Sequence, residues 1–162
     1  MTREEFIENV EGCLDPLRRF LLVLCGGDKA EADDIAQEAV MKAWARRSMF
    51  GGRAKFSTWL FRIACNAWKD SRKAPHANRR TGIEAASALP ARETGDQAFR
   101  NEGLRHAMEG LSAAERACVE LHYIEGYSLR EIETITGITY MTVASHLLRA
   151  RKKLKKTLEV YG

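Results

Sequence analysis

The 162 residues predict an all-α chain: two small helical domains, 1–74 and 100–162, joined by a flexible linker at 75–99, with a helix-turn-helix in the second. Three observations carry this. Only three prolines interrupt the chain. No stretch shows the sustained apolar alternation of a strand. Apolar residues instead recur every three or four positions, in segments bounded by glycines and capping side chains.

Phe6 to Cys25 places Phe6, Val10, Leu14, Leu17, Leu21 and Leu24 on one helical stripe, closed by Gly26 and Gly27. Asp28 caps a second helix, from about Ala30 to Arg46, which turns Ile35, Ala39, Val40 and Ala43 inward. Its front carries Glu31, Asp33, Asp34, Gln37 and Glu38 and its end is basic. The helix dipole favours that order but does not account for so many carboxylates in one place.

From Arg46 the sign reverses. Arg46, Arg47, Arg53, Lys55, Arg62, Lys69, Arg72 and Lys73 face one acid, Asp70, and Phe50, Phe56, Trp59, Phe61 and Trp68 are interleaved with them. Ser57 or Thr58 is the expected cap of a helix from Trp59 to Lys73. Rings among cations suit single-stranded nucleic acid, because bases stack on the rings while the cations track phosphate. The alternative is that Trp59, Ile63 and Ala67 are the buried face of an ordinary helix.

The stretch 75–99 holds two of the prolines and weak periodicity, as a linker does. Helix resumes near Phe99 with Leu104, Met108 and Leu111, and Ser112 with Glu115 forms a capping box before Val119 to Ile124. Ser128 with Glu131 forms another. Gly137 supplies a tight turn, and Tyr140 to Lys156 then carries Val143, Leu147, Ala150, Leu154 and Leu158 at helical spacing. The remaining faces hold Ser145, Arg149, Arg151, Lys152, Lys153, Lys155 and Lys156, with no carboxylate between Glu133 and Glu159. A cationic helix behind a turn is the usual reader of a DNA major groove; an ordinary helical hairpin with a solvated basic end is the alternative.

Composition narrows the class. The first twelve residues carry Glu4, Glu5, Glu8 and Glu11 and no apolar run, so neither a signal peptide nor membrane insertion is expected and the location is cytoplasmic. Cys13, Cys25, Cys65 and Cys118 form no CxxC pair and read as reduced core residues; Cys118 and His122, four apart, leave a metal or redox role conceivable. A nucleic-acid-processing enzyme would need metal-binding carboxylates beside the basic groove, where only Asp70 lies. No catalytic residue, metal or cofactor is expected.

Three stretches carry a family resemblance: DDIAQEAVMKAW at 33–44, FSTWLFRIACNAWKDSRK at 56–73, and LSAAERACVELHYIEGYSLREIETITG with TVASHLLRARKKL in the last third. In order and spacing the chain resembles a bacterial RNA polymerase sigma factor of the extracytoplasmic-function (ECF) group. The resemblance implies a region 2-like domain at 1–74 that docks on core RNA polymerase and opens the minus-ten element, and a region 4-like domain at 100–162 that reads the minus-thirty-five element. It places Asp34, Gln37, Glu38 and Met41 on the clamp helices of the largest subunit, with the flap of the second subunit as a further partner. It places Phe50, Lys55, Phe56, Asn66, Lys69, Arg72 and Lys73 on minus-ten DNA, double- and single-stranded, with a flipped base captured near Phe50 to Phe56 and Asn66. Arg130, Tyr140, Ser145, Leu148 and Arg149 fall on the upstream duplex, Arg130 towards phosphate. An anti-sigma factor is the expected inhibitor. The chain departs from the family pattern at Met141 to His146, where Gly-Thr-Val-Lys-Ser-Arg is common, at Glu133, where Ala is usual, and at Gly51 and Arg53. A helix-turn-helix regulator acting without polymerase is the rival reading; it would have no use for the acidic helix.

Overall fold

The structure, a computed structural model, describes residues 1–73, 103 and 106–161, with side chains to 159; the linker assigned to 75–99, and Phe99 and Leu104, lie outside the described residues. Helix α1 spans Arg3–Leu24 and opens on a capping box in which Thr2 and Glu5 satisfy each other's backbone amides. It continues through Pro16, whose ring forfeits one intrahelical hydrogen bond. Leu17, Phe20 and Leu21, fully buried in the turns that follow it, hold the helix in place. Gly26 and Gly27, both at positive φ, end it.

Helix α2 (Lys29–Ala45) is capped by Asp28, which accepts from the Glu31 amide at 3.1 Å. Ile35, Ala39 and Ala43 are buried as expected, and Val40 is half-buried. A short 3₁₀ turn, Arg47–Met49, leads to α3 (Phe56–Lys73). Helix α3 starts three residues before the expected Trp59. Thr58 is therefore buried inside its first turn, not at a cap. The Arg72 guanidinium grips Glu31 with two hydrogen bonds of 3.0 and 2.9 Å, tying the end of α3 to the start of α2.

In the second domain, α4 (Ala113–Val119) begins on the Ser112/Glu115 capping box and passes into a single π turn, Glu120–Ile124. Helix α5 (Leu129–Thr136) begins on the Ser128/Glu131 box and ends at Gly137, whose φ of 80° is the left-handed conformation a sharp turn requires. Helix α6 (Tyr140–Tyr161) follows. Val143, Leu147 and Ala150 face inward, but Leu158, close to the end of the helix, is exposed.

The two domains meet. Helix α3 packs along α5 and α1 along α4, so one apolar cluster runs through both halves. Phe20 stacks on Phe61 inside the first domain, and Phe61 also meets Tyr127 of the second, ring centres 5.5 Å apart. Burial pushes the Cys13, Cys65 and Cys118 thiols up to about 11 and raises that of Cys25 further, so all four cysteines act as small apolar residues.

Candidate nucleic-acid interface

The turn between α5 and α6 sets up the first candidate surface. Glu133, unusual in the first helix of such a motif, accepts a hydrogen bond from the Tyr140 amide at 3.1 Å and so caps the start of α6 from the preceding helix. The Arg130 guanidinium lies 4.9 Å from the centre of the Tyr140 ring, a cation–π contact that holds both side chains at the mouth of the motif. One turn on, Ser145, Leu148 and Arg149 are exposed together on the face opposite Val143, Leu147 and Ala150. Along the sequence the cations of α6 have no neutralising partner; in space they do. Glu115 of α4 meets Lys153 at 2.8 Å and Arg149 at 3.4 Å.

The second surface lies on the first domain. Phe50, Phe56 and Trp59 form one aromatic cluster with ring centres 5.2 to 5.7 Å apart, anchored to the core through Phe6. All three are half-buried, so the two readings of these rings meet: they are packed, and part of each faces out. Asn66 and Lys73 are exposed on the face of α3 that also carries Lys69. Arg72 is committed to Glu31 and lies over Trp68, 5.1 Å from the ring centre.

Lys55 and Lys69 are turned towards the second domain. The Lys69 ammonium donates to the Thr136 carbonyl at the end of α5, and Lys55 lies 3.6 Å from Glu131. The basic stretch of the first domain thus spends two of its cations on the helix-turn-helix.

The third surface is acidic. On α2, Asp34, Gln37, Glu38, Met41, Lys42 and Ala45 line an open hollow of about 520 Å³, with Met41 68% exposed at its middle. The crowd of carboxylates there resolves into separate roles: Asp28 caps the helix, Glu31 holds Arg72, Asp33 pairs with Lys29 and Glu38 with Lys42. Asp34 is left exposed on the outer face.

Both halves of the chain match known protein families. The family description Sigma-70 region 2 matches residues 10–77, and Sigma-70, region 4 matches 101–154. The ECF RNA polymerase sigma factor SigL of Mycobacterium tuberculosis (strain ATCC 25618 / H37Rv) is 33% identical over 150 residues, which cover 90% of this chain and 84% of SigL. This chain belongs to the ECF sigma factors. The RNA polymerase sigma-H factor of Pseudomonas aeruginosa is 31% identical over 152 residues, covering 86% of this chain and 79% of that protein. Among solved structures, the sigma factor RpoE of Bartonella quintana, in complex with the anti-sigma factor NepR, superposes with a TM-score of 0.78 at 25% identity, covering 97% of this chain and 98% of RpoE. CnrH in complex with the cytosolic domain of CnrY shares the fold, with a TM-score of 0.73 at 20% identity and coverage of 99% and 92%.

In this sigma factor Cys118 is fully buried, and the His122 ring nitrogen Nδ1 lies 2.8 Å from the Tyr127 carbonyl oxygen. No group of three His, Cys, Asp or Glu residues able to hold a metal occurs among the described residues. No described helix is long and apolar enough to cross a membrane. Two residues gain importance that the sequence did not signal. Glu115 reads only as half of a capping box, and Tyr127 only as the residue before one, because their partners lie in distant segments.

Proposed function

We propose that this sigma factor binds core RNA polymerase through the acidic hollow on α2, opens the minus-ten element with α3 and its preceding loop, and reads the minus-thirty-five element with α6. It acts as a specificity subunit, not as a catalyst. The observation that carries this is the division of labour between two exposed faces. Asp34, Gln37, Glu38 and Met41 form an acidic surface with an apolar centre on one domain; Ser145, Leu148 and Arg149 stand out behind a helix-turn-helix on the other. A repressor that worked without polymerase would have no use for the first.

Base capture at the minus-ten element falls to Asn66 and the Phe50/Phe56 cluster. Extruding a base costs a few kcal/mol, which ring stacking and an amide offset. Lys73 tracks phosphate, while Arg72 supports the surface through Glu31. At the upstream duplex Arg130 approaches phosphate and Tyr140 frames the entry of α6. With Lys55 and Lys69 turned onto α5, full engagement of DNA by α3 goes with separation of the two domains. An anti-sigma factor is the expected inhibitor, in keeping with the complex of NepR with the Bartonella quintana relative.

Run-off transcription with purified core polymerase across genomic promoter fragments tests the proposal. Specific transcripts are expected, and their start sites define both elements; no specific transcript would defeat it.

A further inference from the structure

Glu115 is the carboxylate that joins the capping of α4 to the outer face of α6. Its side chain is only 4% exposed. Oε1 accepts from the Ser112 amide at 3.0 Å and from the Lys153 ammonium at 2.8 Å, and Oε2 faces Arg149 Nε at 3.4 Å. These bonds to the ionised form outweigh burial and hold its carboxyl below the usual range. A Gln would serve the capping box as well as a Glu does, so the box alone does not require the charge.

Consider what this leaves of Arg149. With Nε on Glu115, the two terminal nitrogens are the ends left to contact a ligand, and one of them lies 3.0 Å from His146 Nδ1. Arginine only donates, so Nδ1 must accept, and the imidazole proton then resides on Nε2. Burial, then Arg149, and to a smaller degree Lys153, push the His146 pKa down against the opposing pull of Glu115, so the ring is neutral near pH 7. His146 stands where the family often has an arginine. The chain therefore replaces a second cation with a neutral donor whose tautomer is fixed by the first.

We propose that Glu115 is a positioning residue for base reading: it aims Arg149, and through Arg149 sets the His146 tautomer, so that this part of α6 offers adjacent N–H donors suited to guanine O6 and N7 in the major groove. This rests on the assignment of α6 to the upstream duplex.

The test is enrichment of duplexes from a library randomised across the upstream element, using the full chain with core polymerase. Glu115→Gln keeps the capping box and the volume. Wild type should enrich guanine at one position served by Arg149. Glu115→Gln should lose roughly five- to tenfold of that preference, within the range a good bidentate contact supplies, with preferences at the other positions kept. Nitrogen NMR of the His146 ring at pH 7 gives a second measurement that a purely structural role would not move: the wild-type Nε2–H tautomer should give way to a mixture in the variant. Unchanged guanine preference, a uniform loss at every position, or an unchanged tautomer would overturn the proposal. If wild type enriches no duplex sequence at all, the assignment of α6 falls and this proposal with it.

Discussion

Tyr127→Ala should loosen the contact between the two domains. The Tyr127 ring is buried at the junction, 5.5 Å from Phe61, with Lys55 above it at 6.0 Å. An aromatic side chain buries roughly 150 to 250 Å², worth about 4 to 6 kcal/mol at about 25 cal/mol per Å². Taking about half of that area as lying against the first domain, and allowing for a compact reference state, the substitution removes about 2 kcal/mol from the closed arrangement. That shifts the ratio of closed to open molecules by roughly thirtyfold. Energy transfer between dyes on cysteines introduced at exposed Ser48 and Lys152 would read the change, since the four native cysteines are buried and their raised pKa values keep them unreactive near neutral pH.

Transfer should fall in Tyr127→Ala and hold in Tyr127→Phe, which keeps the ring. Lys55→Glu, which sets like charges against Glu131 at an exposed position, should lower transfer too, through a shift of roughly two- to threefold in the closed-to-open ratio, as about 0.5 kcal/mol implies. Open-complex formation at limiting protein should rise as transfer falls, because the competent fraction grows. Unchanged transfer in a Tyr127→Ala protein that retains full helicity would refute the role given to this contact.

Three further outcomes are expected. Burial, reinforced by neighbouring Glu125, pushes the Glu120 carboxyl up to about 7, with Arg19 opposing, so the folded chain holds a proton that the unfolded chain releases near 4.5. This group stabilises the fold fully below about pH 4.5 and loses that contribution, up to about 3 kcal/mol, as pH rises through 7. His146, its pKa lowered, works in the opposite direction below about 6.5, so the measurement is the difference in urea midpoint between pH 5.5 and 8 for wild type against Glu120→Gln, which should flatten it. Arg72→Ala should cost about 1.5 to 3 kcal/mol in chemical denaturation, as for lost hydrogen bonds to a charged group, and Arg72→Lys should restore little of it because the grip on Glu31 is two-pronged. Asp34→Arg, on an exposed face, should leave stability within about 0.5 kcal/mol and weaken copurification with core polymerase; undiminished copurification would remove the α2 hollow from docking.

Most of the helices were legible because their signals are local. Ser112 with Glu115 and Ser128 with Glu131 sit three residues apart, and the structure closes both boxes; Thr2 with Glu5 carries the same signature at the first helix. The start of α3 was not legible: Ser57 and Thr58 look like caps, yet Phe56 joins the aromatic cluster and draws the helix start back to itself. Packing outweighed local preference there.

The charged surfaces were legible in sign but not in assignment, and the reason is distance along the chain. Glu31 meets Arg72 41 residues away, Glu115 meets Lys153 38 residues away, and Lys69 meets Thr136 67 residues away. A count of charges along the sequence assigns all of these to a solvated or ligand-facing surface. The fold withdraws Glu31 and Arg72 to join α2 and α3, withdraws Lys55 and Lys69 to join the domains, and leaves Asp34 on one face and Arg149 on the other. The exposed faces are narrower than the composition implied: they include the acidic hollow around Met41 on α2, Asn66 and Lys73 on α3, and Ser145, Leu148 and Arg149 on α6, where a carboxylate from another helix, Glu115, lies 3.4 Å from the arginine.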